Sequence, residues 1–236
     1  VVNFGLPEAV GFIAAIAVGA AVGLFNGFII CKTDIPPFIV TLASMNITKG
    51  IALVLTGGAP IRCMTDAFKF PGAGYVGPVP TPVILMVVIF VIAALMINKT
   101  QLGRHIYAVG GNVQAAKFSG ISVQKVKFIV YAYTGVMAGI AGVVIASRLY
   151  SGQPTAGDGA EMDAIASSVI GGTLLTGGVG NVIGSFFGVL INGTISTLVK
   201  TNGKLLSSWS SIAVAALLCF LIVLQSIFAK MKESSK

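Results

Sequence analysis

Six long apolar runs constrain this chain more than any other feature. They lie near residues 9–30, 35–57, 82–98, 128–147, 182–199 and 209–229, and a helix needs roughly 17–25 apolar residues to cross about 30 Å of hydrocarbon. A seventh stretch, near 163–178, is shorter and Gly-rich. It is read as a span, with a broken helix or a re-entrant segment as alternatives, because irregular backbone is tolerated where protein or a water-filled cavity surrounds it. Composition points the same way: 56% of the 236 residues are apolar and 9% are charged, against roughly 45–50% and about 25% in soluble domains. At a mean hydropathy of +0.96 one small core cannot bury the apolar surface, so a lipid bilayer must cover much of it. An ordinary cytosolic enzyme is excluded. The expected fold is all-α, a polytopic transmembrane helix bundle of about seven spans forming one domain over residues 1–236.

Charge sets the orientation. Fifteen Lys and Arg against seven Asp and Glu give a formal charge of +8, but the bases gather in connectors, as the positive-inside rule requires, so no nucleic-acid partner is expected. The stretch 98–127 carries Lys99, Arg104, Lys117, Lys125 and Lys127 with no acid, and the tail carries Lys230, Lys232 and Lys236 against Glu233. Both are assigned to the cytoplasmic side. With seven spans that side holds nine bases and two acids, counting Lys32 and Asp34, and leaves six bases and five acids elsewhere. Val1 then lies outside; six spans would put both termini inside. Arg148, Asp158, Glu161 and Asp163 gather at the outer ends of two spans, where docking of a partner and simple solvated helix ends are both open readings.

Catalytic constellations are missing. His105 is the only histidine, and Cys31, Cys63 and Cys219 are widely separated, so neither a metal cluster nor a histidine-based triad can be assembled. Gly72–Gly77 spells a dinucleotide fingerprint, but Pro71, Pro78, Pro80 and Pro82 around it deny the strand-to-helix turn that the fingerprint needs. Gly203-Lys204 lacks the rest of a phosphate loop. The chain is therefore not expected to be an enzyme, and any ATP hydrolysis falls to another chain.

Small and polar residues inside the spans say more. Gly19, Gly23 and Gly27, then Gly180, Gly184 and Gly188, then Gly135 and Gly139 recur at four-residue steps and offer smooth strips for close helix packing, within one subunit or between two. Lys49 within the second run must snorkel or face protein or water. Asn26, Asn46, Thr48 and Asn192 are candidates to line a polar path, or to hydrogen-bond neighbouring helices. The outer loop 57–81, rich in Pro and Gly, reads as turns and extended chain. Leu55-Thr56-Gly57-Gly58 and Leu175-Thr176-Gly177-Gly178 echo each other, as the halves of an inverted repeat would.

The loop 98–127 carries the strongest pattern. Asn112 can N-cap a helix of about two turns, Gly120 can stop it in the left-handed region, and Ser122 can cap the next span. Ala115, Ala116 and Phe118 offer a small apolar surface, and a helix this short needs something to pack on, either a partner's cleft or the membrane face.

The string from Gly103 to Gly120, with Ser151–Gly157, Gly171–Gly184, Phe38–Met45, Gly50 and Leu55–Gly58, resembles the permease subunits of bacterial ABC importers for ribose and related monosaccharides (cobalamin/ribose-permease-like). The resemblance covers essentially the whole chain. It implies a cytoplasmic coupling helix seated in a cleft of an ABC ATPase subunit, falling here on Gly110, Gly111, Asn112, Ala115, Ala116, Ser119 and Gly120. It also implies a periplasmic sugar-binding protein, a second permease copy as homodimer or related heterodimer, an inner-membrane location, and ATP and Mg on the ATPase rather than any cofactor in this chain. Family members carry further N-terminal spans, so the chain is expected to lack its N-terminal part. The alternative from another class is a secondary transporter or channel driven by an ion gradient, which calls for deep membrane acids; a membrane enzyme is a third.

Overall fold

The computed structural model of the chain describes residues 7–33, 35–62 and 65–201, with residues 212, 215–217, 219 and 223. Most of the expected span at 209–229, the basic tail from Lys230 to Lys236, and Asp34, Cys63, Gly203 and Lys204 lie outside the described residues. In chain order the elements are α1 (Glu8–Lys32), α2 (Pro37–Thr56), β1 (Ile61–Arg62), α3 (Asp66–Ala73), β2 (Tyr75–Val76), β3 (Val79–Pro80), α4 (Thr81–Lys99), α5 (Gln101–Gly111), α6 (Val113–Phe118), α7 (Val123–Leu149), β4 (Ser151–Gly152), α8 (Ala160–Ile170) and α9 (Val182–Thr201).

Five of these, α1, α2, α4, α7 and the first 18 residues of α9, are long and apolar enough to cross a membrane, and they coincide with five of the expected runs. Their ends follow local chemistry. Pro37 opens α2 at its first position, where a missing N–H costs nothing. Gly57 closes it at φ 60, with the Gly58 N–H donating to the Leu53 carbonyl at 3.0 Å, a Schellman pattern that only a residue tolerant of positive φ ends cheaply.

The same device breaks the helix expected over 163–178. Gly172 turns the chain at φ 86, Thr173 N–H donates to Ser168 C=O at 3.0 Å and Gly172 N–H to Val169 C=O at 2.9 Å. Helix α8 therefore stops after 11 residues, a rise of about 16 Å, and irregular chain follows up to α9. This shape fits both the broken-helix and the re-entrant alternatives. The loop 57–81 also holds more structure than turns and extended chain, since it contains α3. Its fingerprint-like string divides between the end of α3 and the β2–β3 hairpin, whose turn uses Gly77 at φ 62.

The chain separates into two compact units, one of residues up to Ile89 with Ser122–Gly157, the other of Phe90–Ile121 with Asp158 onward. In the first unit α1 and α7 run antiparallel in close contact. A Cβ added to Gly19 would lie 2.5 Å from the Gly135 carbonyl oxygen, one on Gly23 would lie 2.5 Å from that of Tyr131, and one on Gly139 would lie 2.8 Å from the Ile16 Cα. Further along, the Cys31 thiol donates to the Gln124 carbonyl at 3.2 Å. The expected ladders thus pack within one chain.

At the other end of α7 the buried Ser147 hydroxyl accepts from Gly72 N–H at 2.8 Å and donates to Phe68 C=O at 2.6 Å, tying α3 to α7. Phe12 stacks on Phe68, and β1 pairs with β4, so α1, α3 and both strands are gathered around that end.

In the second unit α8 and α9 form an antiparallel hairpin on the same principle. Side chains at Gly184 and Gly188 would collide with the Gly171 and Ser167 carbonyls. Gly180 of that ladder faces the Thr173 side chain instead.

Gly23→Ala and Gly50→Ala are predicted to have opposite signs. At Gly23 the added methyl meets backbone and overpacking costs about 1–3 kcal/mol. At Gly50, within α2, nothing lies within 4 Å, and the gain in helix propensity is about 0.5–1 kcal/mol. Thermal unfolding in detergent checks this: the first lowers the midpoint and the second leaves or raises it.

Candidate functional site

The loop expected to be cytoplasmic is helical over most of its length. Helix α5 was not foreseen. It starts where the Thr100 hydroxyl accepts from Gly103 N–H at 3.3 Å, and it folds back so sharply on α4 that a Cβ at Gly103 would fall on the Ile97 carbonyl. Leu102, Ile106 and Val109 repeat at helical spacing along one face, with Gly103 and Val109 buried and Arg104 and Ala108 exposed. That period was the signal, masked by three glycines in 11 residues.

Asn112 then caps α6 as expected, its Oδ1 accepting from Gln114 N–H at 2.9 Å and Ala115 N–H at 3.0 Å. Gly120 stops the helix at φ 79, with Ile121 N–H donating to Ala116 C=O at 3.0 Å. Ser119 donates from its hydroxyl to Ala115 C=O. Two expectations change. Ser122 holds the cap position of α7 without a side-chain hydrogen bond. Ala116 is buried at 3% exposure and is unavailable to a partner, whereas Ala115 is exposed and Phe118 stands 91% exposed. The ring stands beside Lys117 at the end of a six-residue helix.

The end of α5 is held by the chain between α8 and α9. A Cβ at Gly110 would lie 2.6 Å from Gly178 N, and one at Gly178 would lie 2.6 Å from Gly111 Cα. Gly177 and Gly178 both have positive φ, 88 and 76. Beside them the Tyr107 hydroxyl donates to the Gly180 carbonyl at 2.7 Å. Further along the hairpin, Asn192 is buried, its amide donating to Ser167 Oγ at 3.1 Å and Asp163 C=O at 3.4 Å. Its Oδ1 is buried without a partner, an unmet acceptor that attracts a hydroxyl donor.

In the first unit, α1, α2 and α7 enclose a groove of about 650 Å³ floored by Gly19, Gly23, Gly135 and Gly139. Asn26 and Thr48 share it, joined by Thr41, Tyr131 and Thr134. Asn26 is 9% exposed and its Oδ1 has no partner. Thr41, Thr48 and Thr134 donate to carbonyls of their own helices, leaving hydroxyl lone pairs as weak acceptors. Sequence reading missed Thr41, Tyr131 and Thr134, because which of several polar side chains share a groove depends on how three helices pack. Asn46 does not line it; exposed on α2, it donates to Leu42 C=O at 3.0 Å. Asn192 belongs to the other unit. Of the four candidates for a polar path, Asn26 and Thr48 share this groove.

The expected docking charges are all exposed. Arg148 is exposed near the end of α7 in the first unit, while Asp158, Glu161 and Asp163 are exposed at the start of α8 in the second. The two acids in the first turn of α8 favour the positive end of its dipole, a structural role that needs no partner.

Residues 1–224 match the protein family described as branched-chain amino acid transport system / permease component. Ribose import permease protein RbsC of Escherichia coli (strain K12) is 41% identical over 228 residues, covering 95% of this chain and 70% of that protein. Inner membrane ABC transporter permease protein YjfF of the same strain is 39% identical over 230 residues, 94% of this chain and 69% of that protein. L-arabinose transport system permease protein AraH, again of that strain, is 34% identical over 211 residues, 89% and 63%. No solved structure matches. These relatives are permease components, not enzymes. A match along nearly the whole chain, together with several spanning helices, makes this a multi-pass membrane protein that belongs to the family of branched-chain amino acid transport system permease components.

Proposed function

We propose that the chain is the membrane permease of an ABC importer that takes up a monosaccharide by ATP-driven alternating access. The observation that carries this is the 41% identity to a ribose import permease over 95% of the chain. Sugar is handed over by a binding protein outside the inner membrane, ATP and Mg²⁺ are bound by a separate ATPase subunit, and a second permease copy, identical or related, completes the path. Helix α6 supports the ATPase contact: it is capped at both ends and leaves Phe118 uncovered by this chain, in a segment with five bases and no acid. Lys125 and Lys127 near the start of α7 oppose its dipole, an arrangement that suits an acidic partner surface.

The groove at Asn26 and the buried Asn192 offer hydroxyl-compatible contacts without a carboxylate. A solute released by another protein needs weak contacts of this kind. The count of seven crossings is kept by including α8 and its irregular continuation as one broken pass: residues 177–180 touch the end of α5, so that pass ends on the face of the basic loop.

In proteoliposomes carrying the permease, its ATPase and the binding protein, labelled ribose or L-arabinose is expected to accumulate only with ATP. Uptake driven by an ion gradient without the ATPase would contradict the proposal. Phe118→Asp is predicted to lower ATPase association at least tenfold, as loss of a buried aromatic anchor does, while leaving insertion and the Tm of the permease unchanged. Copurification of the subunits measures it, and undiminished association would move the contact off Phe118.

A further inference from the structure

We infer that Tyr107 and the contact of Gly110 and Gly111 with Gly177 and Gly178 form a clasp that carries movement of α6 into the α8–α9 hairpin, so that Tyr107 is a positioning residue for transport. The inference rests on the proposed docking of α6 on an ATPase and adds the route taken inside the permease. Three observations combine. First, α5 and α6 are joined through the single residue Asn112, whose side chain caps α6 while its own N–H donates to Ala108 C=O of α5 at 3.1 Å. A shift of α6 therefore moves the end of α5.

Second, backbone meets backbone where α5 ends. Gly110 and Gly111 approach Gly177 and Gly178 so closely that an added Cβ would fall 2.6 Å from main-chain atoms on either side. Close-packed backbones cannot slide as side chains can, and the Tyr107 hydroxyl pins the neighbouring Gly180 carbonyl at 2.7 Å. The glycines alone would be an ordinary packing contact; this hydrogen bond, 73 residues apart in sequence, fixes its register.

Third, the gripped turn is stiff and tied to both helices. Leu174 N–H donates to Val179 C=O and Gly177 N–H to Leu174 C=O, both at 3.0 Å. On one side Thr173 N–H closes the end of α8 on Ser168 C=O. On the other, Asn181 Oδ1 accepts from Ile183 N–H at 2.9 Å as the cap of α9. Displacement of the turn thus reaches Ser167 and Asn192, whose unpartnered Oδ1 sits ten residues into α9. Broken helices are where transporters place solute contacts, and here the break is the part that is gripped.

The test uses the complete complex of permease, ATPase and binding protein in proteoliposomes, with ribose as the probe, and reads subunit assembly, basal hydrolysis, and uptake per ATP. Gly178→Ala, strained by both its φ and the Gly111 contact, is expected to keep assembly and basal hydrolysis and to lower uptake per ATP by roughly tenfold. Tyr107→Phe keeps the ring and removes only the hydrogen bond; about a threefold loss is expected, and this variant decides the matter if Gly178→Ala does not reach the membrane. Gly50→Ala, with open space around it, serves as the unaffected control. Uptake per ATP equal to wild type in Tyr107→Phe, or loss of assembly in step with uptake, would overturn the clasp. Uptake without ATP by the wild-type complex would instead overturn the importer reading, and is distinguished by that control.

Discussion

Backbone-to-backbone contact at glycine is the interaction on which the rest of this structure depends. Lipid tails are as apolar as leucine, so burying apolar side chains gives helices in a bilayer little reason to associate. Close approach, with its dispersion and short polar contacts, supplies the attraction instead. Among the described residues such contacts recur at several places, three of them along α1 and α7, between α8 and α9, and where the end of α5 meets the turn before α9. Large apolar side chains, by contrast, mostly remain exposed, and α4 buries none of its residues. A larger residue at a contact glycine would push two helices apart.

The three contacts differ in consequence. The α1–α7 seam is long and antiparallel, held at one end by Cys31 and Gln124 and flanked at the other by the Ser147 tie to α3. Nothing in it suggests a joint. The α8–α9 hairpin is short and broken by Gly172, and it carries Asn192 with an unmet acceptor. The α5 contact joins that hairpin to α6, which ends in an exposed aromatic. Rigidity where helices must stay together, and a short stiff linkage where motion must be relayed, arise from the same residue type.

Much of this was legible in the chain. Five apolar runs became five helices because length and hydropathy alone decide whether a segment can satisfy its backbone in lipid. Asn112 and Gly120 bracketed α6 because capping and left-handed turns are local chemistry. Other features were hidden for physical reasons. In a Gly-rich segment nothing local says which glycine takes positive φ, so the stop at Gly172 looked like any other step of 163–178. The three glycines of α5 concealed its Leu102–Ile106–Val109 face. The two sides of a six-residue helix cannot be told apart by period, and so Ala115, Ala116 and Phe118 were expected to share one apolar surface although Ala116 is buried and Phe118 exposed. Tyr107 was invisible because its acceptor lies in a turn 73 residues away.

The central claim is that the end of α5 and the α8–α9 turn move as one body while the transporter cycles. Spin labels at the exposed positions Ala108 and Leu175, in a chain with Cys31, Cys63 and Cys219 replaced, report this directly by pulsed dipolar spectroscopy on the assembled complex. The distance between them is predicted to be the same without nucleotide, with ATP trapped, and after hydrolysis. A change approaching one helical turn, about 5 Å, between any two of these states would contradict the account.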